Sequence, residues 1–310
     1  MHTDRRPEVR SRRPLGEALA EGTVLLDGGL SNQLEAQGCD LSDALWSARL
    51  LADAPQQIEA AHTAYARAGA QVLTTASYQA TFEGFDRRGI ARARAADLMT
   101  GSVRSARRAG AVTGREYWVA ASIGPYGAML ADGSEYRGRY GLTVRELERF
   151  HRPRAQTLAE AGPDVLALET VPDIDEAEAL LRVVQDLGVP VWLSYSVAGG
   201  RTRAGQPLEE AFGLVAGIDQ VVAVGVNCCD PADADRAVDA AAATGKPVVV
   251  YPNSGETWDA TGRRWTGSST FAASRVRDWQ RTGARLVGGC CRVGPADIAA
   301  LAGRTGRPEV

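Results

Sequence analysis

A chain of 310 residues with 45% hydrophobic and 24% charged residues and a net charge of −3 holds enough core material for one large domain with an ordinary globular surface. That balance gives no basic footprint for nucleic acid. The longest apolar runs, such as VVAVGV at 221–226, fall far short of the roughly 20 residues that cross a bilayer.

Residues 1–14, MHTDRRPEVRSRRP, carry five arginines and no following apolar run of the secretory kind. They are expected to form a flexible arm, with the folded domain over 15–305 and a short tail at 306–310. The expected compartment is the cytoplasm, where thiols stay reduced and clustered cysteines serve more often as ligands or catalysts than as disulfides. The cysteine count, five, is odd, and two of them, Cys290 and Cys291, are adjacent, a spacing that disfavours a bridge between them.

Eight short apolar or β-branched runs follow in order: 23–29, 71–78, 117–124, 164–170, 191–197, 223–229, 247–254 and 285–291. Helical spacing falls between them, at 55–69, 89–109, 143–162, 175–187, 207–217, 231–244 and 267–283, and after the last at 295–303. Starts at Thr143, Asp175 and Pro295, and stops at Gly69, Gly188 and Gly283, fit the chemistry of helix caps. Strands apolar enough for burial on both faces, alternating with helices eight times, predict an α/β fold: a single-domain (β/α)8 TIM barrel. An open doubly wound sheet is the runner-up, but neither G-x-G-x-x-G after the first strand nor a P-loop is present. Loops at 124–142, 198–206 and 254–267 all follow strands, which places them on the C-terminal face as candidate lids.

Polar and sulfur residues crowd that face: Asp27, Glu169, Asn227, Cys228, Asn253, Cys290 and Cys291 all stand at predicted strand ends. Strand six and strand eight are two positions apart, so their sulfurs can reach one ion, and three thiolates with an open fourth position suit Zn2+. Spacing alone leaves this level with a second reading, in which Cys228, Cys229, Cys290 and Cys291 are small buried apolar residues. Asp27 and Glu169 interrupt apolar runs; each alone reads as a turn or cap residue, and both on one rim suit an ammonium ligand. Trp46 and Tyr78, by default core or rim aromatics, can together face a methyl-bearing cation. His62 and His151 fall on predicted helices and support no histidine-centred triad.

The segments LLDGGLSNQLEAQG, LWSARLL, GAQVLTTASYQAT, ALETVPDIDEAEAL, VGVNCCDP, VVYPNSGETWD and VGGCCRVGP, spread over about residues 22–302, together resemble the homocysteine S-methyltransferase family, in particular its S-methylmethionine-using branch. The resemblance implies a (β/α)8 barrel with one zinc on Cys228, Cys290 and Cys291, and gives no role to Cys229. It implies homocysteine contacts at Asp27 and Glu169 and donor contacts at Trp46 and Tyr78. Thr170 stands where betaine-using relatives carry tyrosine, which counts against betaine as donor.

The implied reaction moves a methyl group from a sulfonium, S-methylmethionine, to homocysteine sulfur, forming methionine. An alkyl thiol with a pKa near 8.5 is only about 3% thiolate at pH 7, and zinc removes that limit. Gly28 and Gly29 are expected to let backbone amides approach the amino-acid carboxylate, with the helix opening near Pro295 aimed at the same group. The expected partners are small molecules, with no nucleic acid and no membrane, and self-association is left open. S-adenosylmethionine as donor, selenohomocysteine or another thiol as acceptor, and a non-catalytic zinc or thiol sensor are the alternatives.

Overall fold

The computed structural model describes residues 13–41, 47–259 and 264–305. Eight parallel strands run β1 (Val24–Leu25), β2 (Val72–Thr74), β3 (Trp118–Ile123), β4 (Val165–Val171), β5 (Val191–Tyr195), β6 (Val221–Asn227), β7 (Val248–Tyr251) and β8 (Ala284–Val287). Each pairs with its neighbour in sequence, and β8 pairs with β1. The ring closes between β1 and β2 through a parallel bridge from Leu26 to Val72, with Asp27 N–H donating to Val72 O at 3.1 Å and Gln71 N–H to Leu25 O at 2.7 Å. This is the expected single-domain (β/α)8 barrel.

Two apolar layers explain why the strands read as continuous hydrophobic runs. One face of each strand packs outward on the helices, and alternate residues, among them Trp118, Ala120, Val165, Ala167, Trp192, Val249 and Leu286, fill the interior. Every residue of β3, β4 and β5 is buried. The floor is sealed by the helix Leu15–Glu21, whose Leu15, Ala18 and Leu19 join the interior cluster. Just before it, Trp118 Nε1–H donates to Arg13 O at 3.0 Å, and Arg13 pairs with Glu21 and Glu116. Residues 1–12 of the expected arm and the tail at 306–310 lie outside the described residues.

The outer helices begin and end for local reasons. Thr143 caps Val144–Glu160 through a reciprocal capping box with Glu146, and Gly69, at φ +115°, ends Pro55–Ala68. Asp173 rather than Asp175 caps the helix Ile174–Val184. Hydrophobic periodicity does not mark Leu15–Glu21, Leu30–Ala36, Ser47–Asp53 or Phe82–Asp86, all of seven residues or fewer. Two turns give too few repeats to register as a period, and such helices hold because tertiary burial supports them.

The three rim loops are also more structured than expected. The 124–142 loop contains the helix Tyr126–Leu130 and a 3-10 turn at Ser134–Tyr136. Antiparallel ribbons form within the other two, pairing Val197–Ala198 with Arg201–Thr202 and Thr257–Asp259 with Arg264–Thr266. Among the described residues no helix is long and apolar enough to cross a membrane.

Candidate metal centre

Three thiols converge on the C-terminal rim from two strands that β7 separates. Cys228 follows β6 directly, while Cys290 and Cys291 lie three and four residues beyond the last residue of β8. Their Sγ atoms all fall within 4.8 Å of one another, with Cys228 and Cys291 3.8 Å apart. Two metal–sulfur bonds of about 2.3 Å at a tetrahedral angle separate their sulfurs by about 3.8 Å, so the set matches a tetrahedral thiophilic ion.

The backbone that aims these thiols is strained and tightly held. Cys228 has φ +49° and Arg292 φ +67°, left-handed conformations that cost a non-glycine residue about 1–3 kcal/mol each. The end of β7 and the residues after it grip both turns: Cys228 N–H donates to Tyr251 O at 3.3 Å, Cys290 N–H to Pro252 O at 2.8 Å and Cys291 N–H to Asn253 Oδ1 at 3.1 Å. Thiol donors at Cys290 and Cys291 hold the Cys228 thiol well below its usual range, and the same sharing pushes Cys290 and Cys291 well above it. One thiolate served by two thiols is what close-set sulfurs do without a cation, and a divalent ion removes the conflict.

Cys229 plays the apolar part. It is fully buried in the layer between strands and helices, and burial pushes its thiol up. Cys39 packs against the edge of the same layer.

Asp27 and Glu169 share the rim, nearly buried at 4% and 6% exposure. Asp27 Oδ2 accepts from Thr74 N–H at 2.8 Å, while Glu169 accepts from Ser122 Oγ and from Tyr251 Oη, the latter at 2.9 Å. Burial pushes Asp27 up to about 8 and Glu169 up to about 7, and the charge of Glu169 adds to the rise at Asp27. Carboxyls so placed favour a cationic partner, which lets both ionise.

Glu169 stands on a polar chain inside the barrel. Tyr251 Oη receives Trp192 Nε1–H at 3.1 Å and lies 2.8 Å from Ser194 Oγ, which donates to Asn227 Oδ1 at 2.8 Å. Asn227 also takes the Thr170 N–H at 2.7 Å and gives its amide to Thr170 Oγ1 at 2.8 Å, holding Thr170 at φ +59°. The residue before Cys228 therefore locks the residue after Glu169.

The glycines act differently from the sequence expectation. A Cβ on Gly28 would lie 2.3 Å from Val293 O, and one on Gly29 2.6 Å from Cys290 O. Gly29 N–H is already donated to Val293 O at 2.9 Å. Gly288 and Gly289 have no positive φ; a Cβ on them would strike Leu26 Cβ at 2.5 Å and Val293 Cγ1 at 2.1 Å. Close packing of the β1 and β8 turns, not backbone freedom, requires them. At the helix opening, Gly294 N–H donates to Asp297 Oδ2 at 2.8 Å, which places a carboxylate where an anion was expected.

Tyr78 stands half-buried on the rim, its ring packed where a Cβ on Gly124 would meet it at 2.6 Å. Trp46 lies outside the described residues. Tyr136, not singled out in the sequence, reaches from the 3-10 turn so that its hydroxyl lies 3.1 Å from Cys228 Sγ. Arg203 stacks over its ring at 5.3 Å and donates from Nε to Ser196 Oγ, which in turn donates to Cys228 O. The loops after β3, β4 and β5 are tied together by Asp173, which accepts from Arg139 N–H at 2.8 Å and Gln206 Nε2 at 3.0 Å.

The histidines serve structure. His62 is buried and pushed down to about 4 by burial. His151 pairs through Nε2 with Glu176 at 2.8 Å, and Glu176 also accepts from Tyr126 N–H, rooting the 124–142 loop in the helix layer.

A barrel with three convergent thiols and two buried acids on its C-terminal rim defines a barrel enzyme with a candidate metal centre. The model of the homocysteine S-methyltransferase family matches residues 24–305. Homocysteine S-methyltransferase 4 of Zea mays is 44% identical over 91% of this chain and 89% of its own, and the Escherichia coli homocysteine S-methyltransferase is 44% identical over 91% and 95%. The crystal structure of the E. coli homocysteine methyltransferase MmuM in metallated form superposes with a TM-score of 0.85 at 42% identity, covering 94% of this chain and all of that one. The chain belongs to the homocysteine S-methyltransferase family. It is an enzyme of methyl transfer to homocysteine, and the sensor alternative falls with that membership.

Proposed function

We propose that the protein transfers a methyl group from the sulfonium of S-methylmethionine to the sulfur of L-homocysteine, forming methionine, with zinc held by Cys228, Cys290 and Cys291. The observation that carries the reading is the 4.8 Å cluster of three Sγ atoms beside the buried pair Asp27 and Glu169. The thiol-only donor set favours a soft ion of tetrahedral habit, and the metallated state of the E. coli relative supports a metal in this position. Bound there, zinc supplies the means to keep a substrate thiol as thiolate at neutral pH.

The chain does the rest. Asp27 and Glu169 accept the ammonium protons of homocysteine, and Glu169 keeps its orientation through Ser122 and Tyr251. The Gly28 amide faces the substrate carboxylate. Tyr78 is assigned to the donor cation, and the family resemblance assigns Trp46 the same part. Attack of a thiolate on a sulfonium converts two charges into two neutral thioethers, so a site that excludes water favours the transition state. The folded 124–142 loop, rooted by Glu176 and His151, provides that cover. Thiols that must stay unoxidised suit a reducing compartment, and we place the enzyme in the cytoplasm.

The test is turnover of purified protein with homocysteine and S-methylmethionine before and after chelation. Methionine should form, stop on chelation and resume with added zinc. Metal retained with no methionine from S-methylmethionine or S-adenosylmethionine overturns the proposal.

A further inference from the structure

Five acidic side chains are buried among the described residues: Asp27, Glu135, Glu169, Asp173 and Glu176. Four accept at least one hydrogen bond from another residue, although Glu176 leaves its own Oε2 without one. Asp27 takes the Thr74 amide, Glu169 takes Ser122 and Tyr251, Asp173 takes Arg139 and Gln206, and Glu176 takes His151 and Tyr126. Glu135, 8% exposed, leaves Oε2 without a hydrogen-bond partner, and no arginine or lysine pairs with it among the described residues. A carboxyl buried in this way is costly unless a ligand completes it.

Its surroundings are also incomplete. Gln79 Oε1 and Ser134 Oγ, on residues 5% and 2% exposed, likewise have no partner. The three gather about residues 127–128: Gln79 Nε2 donates to Ala128 O at 2.9 Å, and a Cβ on Gly127 would lie 2.4 Å from Glu135 N and 2.6 Å from Ser134 C. This cluster borders the sulfur site. Tyr136, the next residue, places its hydroxyl 3.1 Å from Cys228 Sγ.

Resting on the methyl-transfer reading above, we propose that Glu135, with Gln79 Oε1 and Ser134 Oγ, binds the α-ammonium group of an amino-acid sulfonium donor. All three unpartnered atoms accept hydrogen bonds, and an ammonium offers three donors. The choice of the ammonium over the sulfonium follows from the reaction. Sulfonium charge is partly lost on the way to the transition state, so a carboxylate set against it would stabilise the ground state more than the transition state and slow turnover. Ammonium charge persists throughout, so a carboxylate there lowers both levels together and selects the donor without opposing the chemistry. The rim then has two amino-acid clamps: Asp27 with Glu169 for the acceptor, and Glu135 for the donor.

Calorimetric titration of the metal-loaded enzyme tests this with Glu135→Gln, which keeps shape and removes charge. Affinity for S-methylmethionine and for S-adenosylmethionine should fall roughly tenfold or more, the loss of one charge-assisted hydrogen bond in a buried site. Homocysteine affinity should stay unchanged, which also shows that the variant is folded. Dimethylsulfoniopropanoate, a sulfonium without an ammonium, should bind parent and variant alike, and Ser134→Ala should give a smaller loss confined to the amino-acid donors. Unchanged donor affinity in Glu135→Gln, an equal loss of homocysteine, or an equal loss of dimethylsulfoniopropanoate overturns the assignment. A parent enzyme that forms methionine while Glu135→Gln binds its donor normally refutes this inference and leaves the methyl-transfer reading intact; a parent that binds neither amino-acid sulfonium refutes both.

Discussion

The two ends of the barrel are built from the same eight strands by opposite rules. At the floor, Leu15, Ala18, Leu19 and Trp118 pack in one cluster, and the polar Trp118 Nε1 is satisfied by Arg13 O. At the rim, three residues near the sulfurs, Thr170, Cys228 and Arg292, have left-handed backbones, three thiols compete for one charge, and two carboxyls are held far above their usual range. The floor stores stability, and the rim spends some of it on a site that a cation and a charged substrate complete. The contrast is between groups that already have partners and groups arranged to receive them.

The contrast breaks most sharply at the acids. Asp27→Asn or Glu169→Gln should weaken homocysteine binding by about 10- to 150-fold, the worth of one charge-assisted hydrogen bond at about 1.5–3 kcal/mol. Both variants should fold, and calorimetry with homocysteine measures the loss. Asp27→Asn should also change the pH profile of the unliganded protein in a set direction. The native carboxyl is raised from 3.8 to about 8, so the native state holds a proton that the unfolded chain releases. Its contribution to stability is whole below about 4 and is lost as pH rises through about 8. Thermal melts of the asparagine variant should lack that component, and an identical pH slope in both proteins counts against a buried neutral Asp27.

A floor substitution should do the reverse. Leu19→Ala removes a fully buried side chain from the plug and should cost about 2–5 kcal/mol of stability in urea titration, with KM for homocysteine unchanged. A change in KM equal to that of the rim variants would show that the two ends are not separable.

Much of this arrangement was legible in the chain. Eight β-branched runs alternating with helical spacing specify the barrel, because buried parallel strands must be apolar on both faces. The strand-end positions of Asp27, Glu169, Cys228, Cys290 and Cys291 mark the rim, although residue chemistry alone left the cysteines divided between ligand and core. The structure shows both kinds, with Cys228 in the cluster and its neighbour Cys229 in the core. Tyr136 and Glu135 were not legible, since nothing local to a loop tells which residue it turns inward; contacts such as Gly127 against Glu135 decide that. The need for Gly288 and Gly289 was not legible, since it comes from the close approach of two turns remote in sequence. Leu15–Glu21 shows only two leucines one turn apart, and its place in the floor depends on residues throughout the barrel.

On the proposed reading, Cys228, Cys290 and Cys291 hold one zinc ion with room for the substrate sulfur. X-ray absorption at the zinc edge of the loaded enzyme measures this most directly. Three sulfurs at about 2.3 Å are expected without homocysteine and four with it. Fewer than three sulfurs in the free enzyme, or a count that homocysteine leaves unchanged, would contradict it.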